Sequence, residues 1–324
     1  MMKQTDIIHR MNECVRLLLA VCGMVVLAAC GEDTIVPSSH ERNWLVVEDN
    51  PLDSLDHLRY EVYKQTGIPV YYNDTIGSEQ RTTLAGQPYT YYEVLQVFYS
   101  PGRITPSWAV ANYQLPQHRA DVPAVVAFLR DEVFPQLGGR MYVPSVLLVD
   151  TLNSTSGTVA YRGMNTIVLS NVRRFSGMDS LQRKAYKGSF LRAAVAGTLM
   201  NCEEEWLEEN FFALTYAVNP DYKAFAYSTS SVGYGVYKAL QGFPPADQRL
   251  SVLGFIGTRV EPQPGVAERS WLVPEKHQDV DQFCEAVINC PQAVFEAAHA
   301  GEEVVLAKYC VMRKKLLEYG IALE

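Results

Sequence analysis

The chain has 324 residues, 48% hydrophobic and 11% aromatic, which is ample apolar material for a packed core. Its 28 basic and 36 acidic side chains leave a formal net charge of -8. The densest basic run is only Arg313-Lys314-Lys315, which argues against a surface that tracks nucleic-acid phosphates.

An apolar stretch begins at Leu17 and closes on Val26-Leu27-Ala28-Ala29-Cys30. It is short for a bilayer span, and small residues stand directly before the cysteine. With Lys3, Arg10 and Arg16 upstream, the segment resembles a bacterial lipobox. On that reading residues 1–29 are a lipoprotein signal peptide, and Cys30 becomes the acylated first residue of the mature chain. Three acyl chains exceed what stable membrane attachment needs, so the remaining body can fold in water. The other reading is a retained N-terminal anchor with Cys30 a bystander. Gly31, Glu32 and Asp33 follow, and an acidic pair so close to the cysteine resembles the surface-export signal of Bacteroidetes lipoproteins. The expectation is therefore an outer-membrane lipoprotein facing outward.

Residues 30–50 are polar, carry Pro37, Ser38 and Ser39, and read as a flexible tether. Residues 51–324 are then expected to form one domain. Leu55, Leu58, Val62 and Tyr63 recur at helical spacing, which predicts a helix over Leu52 to Thr66 ended by Gly67. The period changes at Ile68 to Tyr72 and at Tyr91 to Tyr99, where β-branched and aromatic residues predict strands. Asn73-Asp74 and Gly86-Gln87-Pro88 between them carry turn chemistry. A second helix is predicted from Val122 to Leu137, opened by Asp121 with Pro123 just inside and stopped by Gly138-Gly139. Strands are predicted at Ser145 to Leu152 and Thr158 to Val172, then a long helix over Asp179 to Asn201. Shorter helices are predicted at Trp206 to Val218 and Val232 to Leu240. A Pro/Gly-rich stretch reaches Val273, and helices follow at Val280 to Asn289, Gln292 to Ala300 and Glu302 to Glu318. This order is α+β: a small mixed sheet followed by a mostly helical C-terminal part. No Gly-rich phosphate loop follows any strand, so nucleotide binding has little support.

Four stretches, in this order, resemble the lipoprotein zinc-binding metallopeptidases of the Bacteroidetes, a zincin-like group. They are Tyr72-Asn73-Asp74-Thr75-Ile76-Gly77-Ser78-Glu79; the strand Ser145 to Leu152; Gly254-Phe255-Ile256 leading to Asp281-Gln282-Phe283-Cys284-Glu285; and the closing helix Lys308 to Leu323, with Lys314, Tyr319, Gly320, Ile321 and Leu323. The resemblance implies a zincin-like fold whose long helix carries His-Glu-x-x-His. Histidines at i and i+4 share a face and clasp zinc, while the glutamate acts as general base. Here that motif falls on Ala193-Ala194-Val195-Ala196-Gly197, so both histidines and the base are replaced. Glu285 stands where the family would take a further ligand, and a lone carboxylate cannot hold zinc. Ala193, Ala194, Gly197 and Glu285 thus mark a relic site, with no catalytic residue and no cofactor expected.

Other candidate chemistry is sparse. After Cys30 the histidines are His40, His57, His118, His277 and His299, and no two of them are three or four residues apart. His277, Asp279 and Asp281 form the nearest cluster, and the bland reading is a solvated helix N-terminus. His118, Arg119 and Asp121 read as a loop and a helix cap. Glu204 and Glu208 share a helical face, a pairing that could serve acid/base work but reads mainly as a solvated acidic turn. Cys202, followed by three glutamates, makes a poor nucleophile because neighbouring negative charge disfavours the thiolate. Cys284, Cys290 and Cys310 complete the mature cysteines, and one or two disulfides are possible without a legible pairing. Tyrosines cluster at Tyr71-Tyr72, Tyr89 to Tyr92 and Tyr234 to Tyr237, as sheet residues or as stacking faces for a ligand. The expected function is a surface-tethered, metallopeptidase-like protein without zinc ligands that binds a peptide, protein or glycan. The alternatives are an active zinc metallopeptidase with an unrecognised ligand set, and a structural component of the envelope.

Overall fold

A computed structural model describes residues 42–97, 112–139, 141–153, 159–218, 250–256, 274 and 276–323. Cys30 and its flanks, most of the expected tether, His40, the expected helix Val232 to Leu240 and the Tyr234 to Tyr237 cluster lie outside these residues. No described helix is long and apolar enough to cross a membrane.

Helix α1 (Ser54–Thr66) starts where the Asp53 carboxylate accepts from the Leu55 and Asp56 amides, and it ends at Gly67 with φ 73°. Strand β1 (Val70–Tyr71) follows. Next comes a hairpin of β2 (Thr75–Thr82) and β3 (Pro88–Val94). Sequence patterning misses β2, because its polar residues show no apolar alternation, and it places the second strand too late. Strand β4 (Asn112–Gln114) leads to a short 3-10 turn and helix α2 (Val122–Phe128), extended by a wider π turn at Leu129–Val133 and a 3-10 turn at Phe134–Gln136. Asp121 makes no side-chain cap there, contrary to expectation, since a 3-10 turn already precedes it.

The predicted strand over Ser145 to Leu152 is two strands, β5 (Val146–Leu148) and β6 (Thr151–Asn153). The chain leaves the main sheet between them, with the Val149 amide bonded to Leu169 and the Asp150 amide to Gln114. The next predicted strand likewise divides into β7 (Ala160–Arg162) and β8 (Ile167–Leu169). The main sheet has order β1-β5-β8-β7, with β1, β5 and β8 parallel and β7 antiparallel on one edge. Strands buried on both faces read as continuous apolar runs, as Val146-Leu147-Leu148 and Ile167-Val168-Leu169 do.

Alternation divides the core around this sheet. Val70, Val146, Leu148, Ile167 and Leu169 join Val62 of α1 and Val125, Val126 and Leu129 of the α2 run. Tyr71, Leu147, Val149 and Val168 pack on the other face with Val47, Leu95 and Val97. The long helix α3 (Ser180–Cys202) adds Tyr186, Phe190 and Leu191 to the first cluster. A capping box opens it: the Asp179 carboxylate accepts from the Gln182 amide while the Gln182 side chain accepts from the Asp179 amide.

The remainder is helical. A run here called α4 comprises Glu204–Trp206, a wider turn at Leu207–Phe212 and Ala213–Val218. A 3-10 turn at Leu250–Leu253 precedes α5 (Lys276–Asn289), α6 (Gln292–Ala298) and α7 (Glu303–Glu318). A second core forms among α3, α4, α5 and α7 from Leu199, Phe211, Phe212, Phe283, Tyr309, Met312 and Leu316. The fold is thus α+β, a small mixed sheet with a helical C-terminal part. Gly138 lets the tail close: a Cβ there would stand 1.5 Å from the Tyr319 carbonyl oxygen. Cys202, Cys284, Cys290 and Cys310 are all free, so neither of the contemplated disulfides forms.

Candidate functional site

The turn Ala193 to Gly197 lies on α3, in the half that faces both β7 and α5. Ala193 and Ala194 are buried among apolar neighbours. Gly197 is half-buried, and a Cβ on it would stand 2.5 Å from Cγ of Arg162. The end strand of the sheet therefore lays an arginine side chain across the one position of this turn that carries no side chain. Glu285 is exposed on α5, whereas Phe283, Cys284 and Val287 turn inward. Its carboxylate is not directed at the buried alanine surface. Among the described residues no group of three or more His, Cys, Asp and Glu side chains could hold a metal ion.

What stands near this turn is a pair of arginines. Arg192, buried on α3, donates through Nη2 to the Ala160 carbonyl at 2.7 Å and pairs through Nη1 with Asp281 at 2.8 Å. It joins the edge strand to the start of α5. Gly188 on α3 meets the Asn289 side chain, where a Cβ would stand 1.8 Å from Oδ1, so α3 and α5 pack antiparallel and very close. Asp281 is a third exposed, and burial pushes its carboxyl above the usual carboxylate range against the pull of Arg192. Arg162 differs from Arg192. Its Nη1 donates to the Tyr142 carbonyl at 2.9 Å, its Nε is buried without an acceptor, and no carboxylate among the described residues pairs with it. Burial lowers its pKa.

The side of β7 away from β8 is partly covered: Ala160 is buried, and the Met164 amide donates to the Gln96 carbonyl. The Gly163 amide bonds to the Thr166 carbonyl and the Ser170 amide to the Val159 carbonyl. By the alternation of antiparallel pairs, Tyr161 turns its amide groups toward Val168, and Ala160 and Arg162 turn theirs away from β8. The Ala160 carbonyl accepts from Arg192, and no described strand pairs with this edge. Tyr142, Tyr161 and Met164, on or near this strand, are exposed large apolar side chains.

The other sequence candidates lie elsewhere. Asp279 is not at a solvated helix end: it is fully buried, paired at 2.5 Å with an equally buried Lys308. Lys308 Nζ also donates to Thr215 at 3.3 Å, and the rings of Phe211, Phe283 and Phe255 lie within 5.0 Å of it. The helix begins at Lys276, earlier than its apolar period suggests, which draws Asp279 into the interior. His277 is exposed. Glu203 and Glu208 also depart from a solvated acidic turn. Glu203 accepts from Lys315 at 2.9 Å and Tyr319 at 2.6 Å, and Glu208 is bound by Lys276 and Tyr216. Glu208 is therefore not free to work in tandem with Glu204. An open depression of about 560 Å³ is lined by Asn201, Cys202, Glu204, Glu205, Glu208 and Glu209. Arg119 holds Asp53 in a fork with both contacts at 2.6 Å, while His118 is exposed. Tyr89 and Tyr92 are exposed on the hairpin, and Arg81 stacks over Tyr91 at 3.4 Å.

Comparison with known proteins gives no match to a protein-family model, to a curated protein or to a solved structure.

Proposed function

We propose that the chain is a lipoprotein anchored through Cys30 to the outer membrane and facing outward. Its body is a zincin-like domain that has lost its zinc site and works by binding a peptide, protein or glycan. The observation that carries this reading is the turn Ala193 to Gly197. Two buried methyl groups and a glycine offer no donor atom, and the half-buried Arg162 side chain lies across Gly197. Zinc in such a fold needs imidazole or carboxylate ligands and serves to polarise a water. A fixed cation beside the turn opposes a divalent ion as well. The residues present do not fit the metal.

A binding role draws support from the neighbouring surface. On the outer side of β7 the Ala160 carbonyl accepts from Arg192 and the Met164 amide donates to the Gln96 carbonyl, so the strand end at Arg162 is what adjoins the surface. Exposed Tyr142, Tyr161 and Met164 supply apolar contacts beside it. The test is elemental analysis of the purified protein together with a casein cleavage assay. The expected result is substoichiometric zinc and no EDTA-sensitive cleavage. Stoichiometric zinc with EDTA-sensitive cleavage would make the chain a working metallopeptidase with another ligand set.

A further inference from the structure

We infer that the tip of the β2–β3 hairpin docks on the bilayer that holds the lipid anchor, as a second membrane contact beside the acyl chains. This rests on the reading that Cys30 is lipidated. The consecutive residues Thr82 to Thr90 are all exposed, and none of them carries a charge. Leu84 in the turn is fully exposed, and Tyr89 and Tyr92 stand out from β3. Turns in water favour Gly, Pro, Asn, Asp and Ser, yet this one places Leu84 and Ala85 ahead of Gly86. Its backbone closes on itself. The Thr83 amide donates to the Gln87 carbonyl at 2.8 Å, the Gly86 amide to the Thr83 carbonyl at 2.9 Å, and the Gln87 amide to the Thr83 hydroxyl at 3.1 Å. Backbone groups satisfied in this way lose little when they are brought against lipid.

Charge begins just below the tip, and it is paired within the hairpin. Arg81 binds Glu79, hydrogen-bonds Tyr89 and lies over the Tyr91 ring at 3.4 Å, while the Tyr91 hydroxyl donates to Glu93 at 2.6 Å. Tyrosine and arginine side chains suit the headgroup level, with an apolar body toward the lipid and a polar end in water. The path of the chain favours the membrane over any other occupant. Trp44 packs on Gly77, where a Cβ would stand 2.4 Å from its ring, so the chain enters the body at the root of the hairpin. Fourteen positions separate Trp44 from Cys30, a reach of at most about 50 Å. From Gly77 to Leu84 the hairpin extends about 20 Å at the rise of a strand. The tip is therefore within reach of the bilayer. Attachment through Cys30 makes that contact intramolecular, so a small apolar tip suffices.

The experiment uses the full-length lipidated protein reconstituted in phosphatidylethanolamine–phosphatidylglycerol vesicles. The photoprobe p-benzoylphenylalanine is placed at Leu84 in one sample and, as reference, at Val294, another exposed apolar side chain, on α6. After irradiation, mass spectrometry of the probe-bearing peptides counts phospholipid adducts. Burial of the tip in lipid predicts about tenfold or more adducts at Leu84 than at Val294. With the probe moved to Tyr89, Leu84→Asp should cut the adducts about fivefold or more, whereas Leu84→Phe should keep them. Leu84 touches no core, so neither substitution threatens the fold. Equal yields at the two positions, an unchanged yield in Leu84→Asp, or adducts that join two copies of the chain in place of lipid would overturn the inference. The mass of the N-terminal peptide scores the premise separately. Acylated Cys30 without lipid adducts at Leu84 sinks the docking and leaves the anchor standing. Cys30 without acyl chains removes the anchor, and the docking inference with it.

Discussion

Asp279 and Asp281 stand two residues apart on one turn of α5, on opposite sides of the helix, and each meets a basic residue from a different helix. Asp279 is sealed with Lys308 of α7 under an aromatic wall, while Asp281 meets Arg192 of α3 at the rim of the sheet and keeps a third of its side chain in solvent. The difference teaches where this molecule can tolerate change. An enclosed pair cannot be relieved by water when one partner goes, whereas a rim pair can. The enclosed pair belongs to the helical core, and the rim pair joins that core to the edge strand β7 through the Ala160 carbonyl. One turn of α5 thus anchors the helical core on one side and the edge strand on the other.

The largest effect is expected at the enclosed pair. Asp279→Ala leaves the Lys308 charge buried and should lower stability in urea by about 3–5 kcal/mol. The double replacement Asp279→Leu with Lys308→Met should recover most of that loss, because it removes both desolvated charges. A double variant as unstable as the single one would show that the site depends on packing alone. Arg192→Met should cost less, about 1–3 kcal/mol, since Asp281 can rehydrate and the main loss is the donor to the Ala160 carbonyl. Equal losses at the two sites would erase the distinction drawn between them.

The third effect is smaller and concerns the turn itself. Gly→Ala inside a helix ordinarily gains about 1 kcal/mol. At Gly197 the new Cβ presses on Arg162, and overpacking costs about 1–3 kcal/mol. Gly197→Ala should therefore not raise the melting temperature, and a clear rise would mean that Arg162 does not rest there. The smallest effect is at the surface. Arg119 holds the Asp53 carboxyl down to about 2, below its ordinary 3.8, with help from the Asp56 and Leu55 amides. A lowered acid contributes stability that is present above the ordinary value and is lost as pH falls through 3.8 toward 2. Arg119→Ala should flatten that part of the acid limb in a pH series of melting curves.

Local signals in the sequence are read correctly where one element carries its own evidence. Gly67 ends α1 as read, and the long helix falls within one residue of Asp179 to Asn201, because left-handed glycines and long helical runs are short-range chemistry. The Asp53 cap and the Asp179–Gln182 box are equally local but go unread, and α1 starts at Ser54 rather than Leu52. Signals that depend on a distant partner are not. β2 is polar on both faces and exists through its hairpin with β3. The strand at Ser145 to Leu152 breaks after Val149, whose amide still bonds Leu169 of β8, because the Asp150 amide turns to Gln114 of β4. Asp279 reads as a solvated cap until α7 brings Lys308 from 29 positions away. At the candidate site the lack of donor side chains from Ala193 to Gly197 is plain in the sequence. The arginine that crosses Gly197 comes from a strand 35 positions earlier, and no spacing rule connects the two. The contact of Arg162 with Gly197 is visible only once the elements are assembled.

The central claim is that the turn Ala193 to Gly197 has no hold on a divalent ion. Crystals grown with zinc chloride and measured on both sides of the zinc absorption edge test it most directly. The account predicts no anomalous peak beside that turn, with Arg162 lying over Gly197 in the density. A zinc peak beside Gly197, with ligands folded in from other segments and Arg162 swung away, would contradict it.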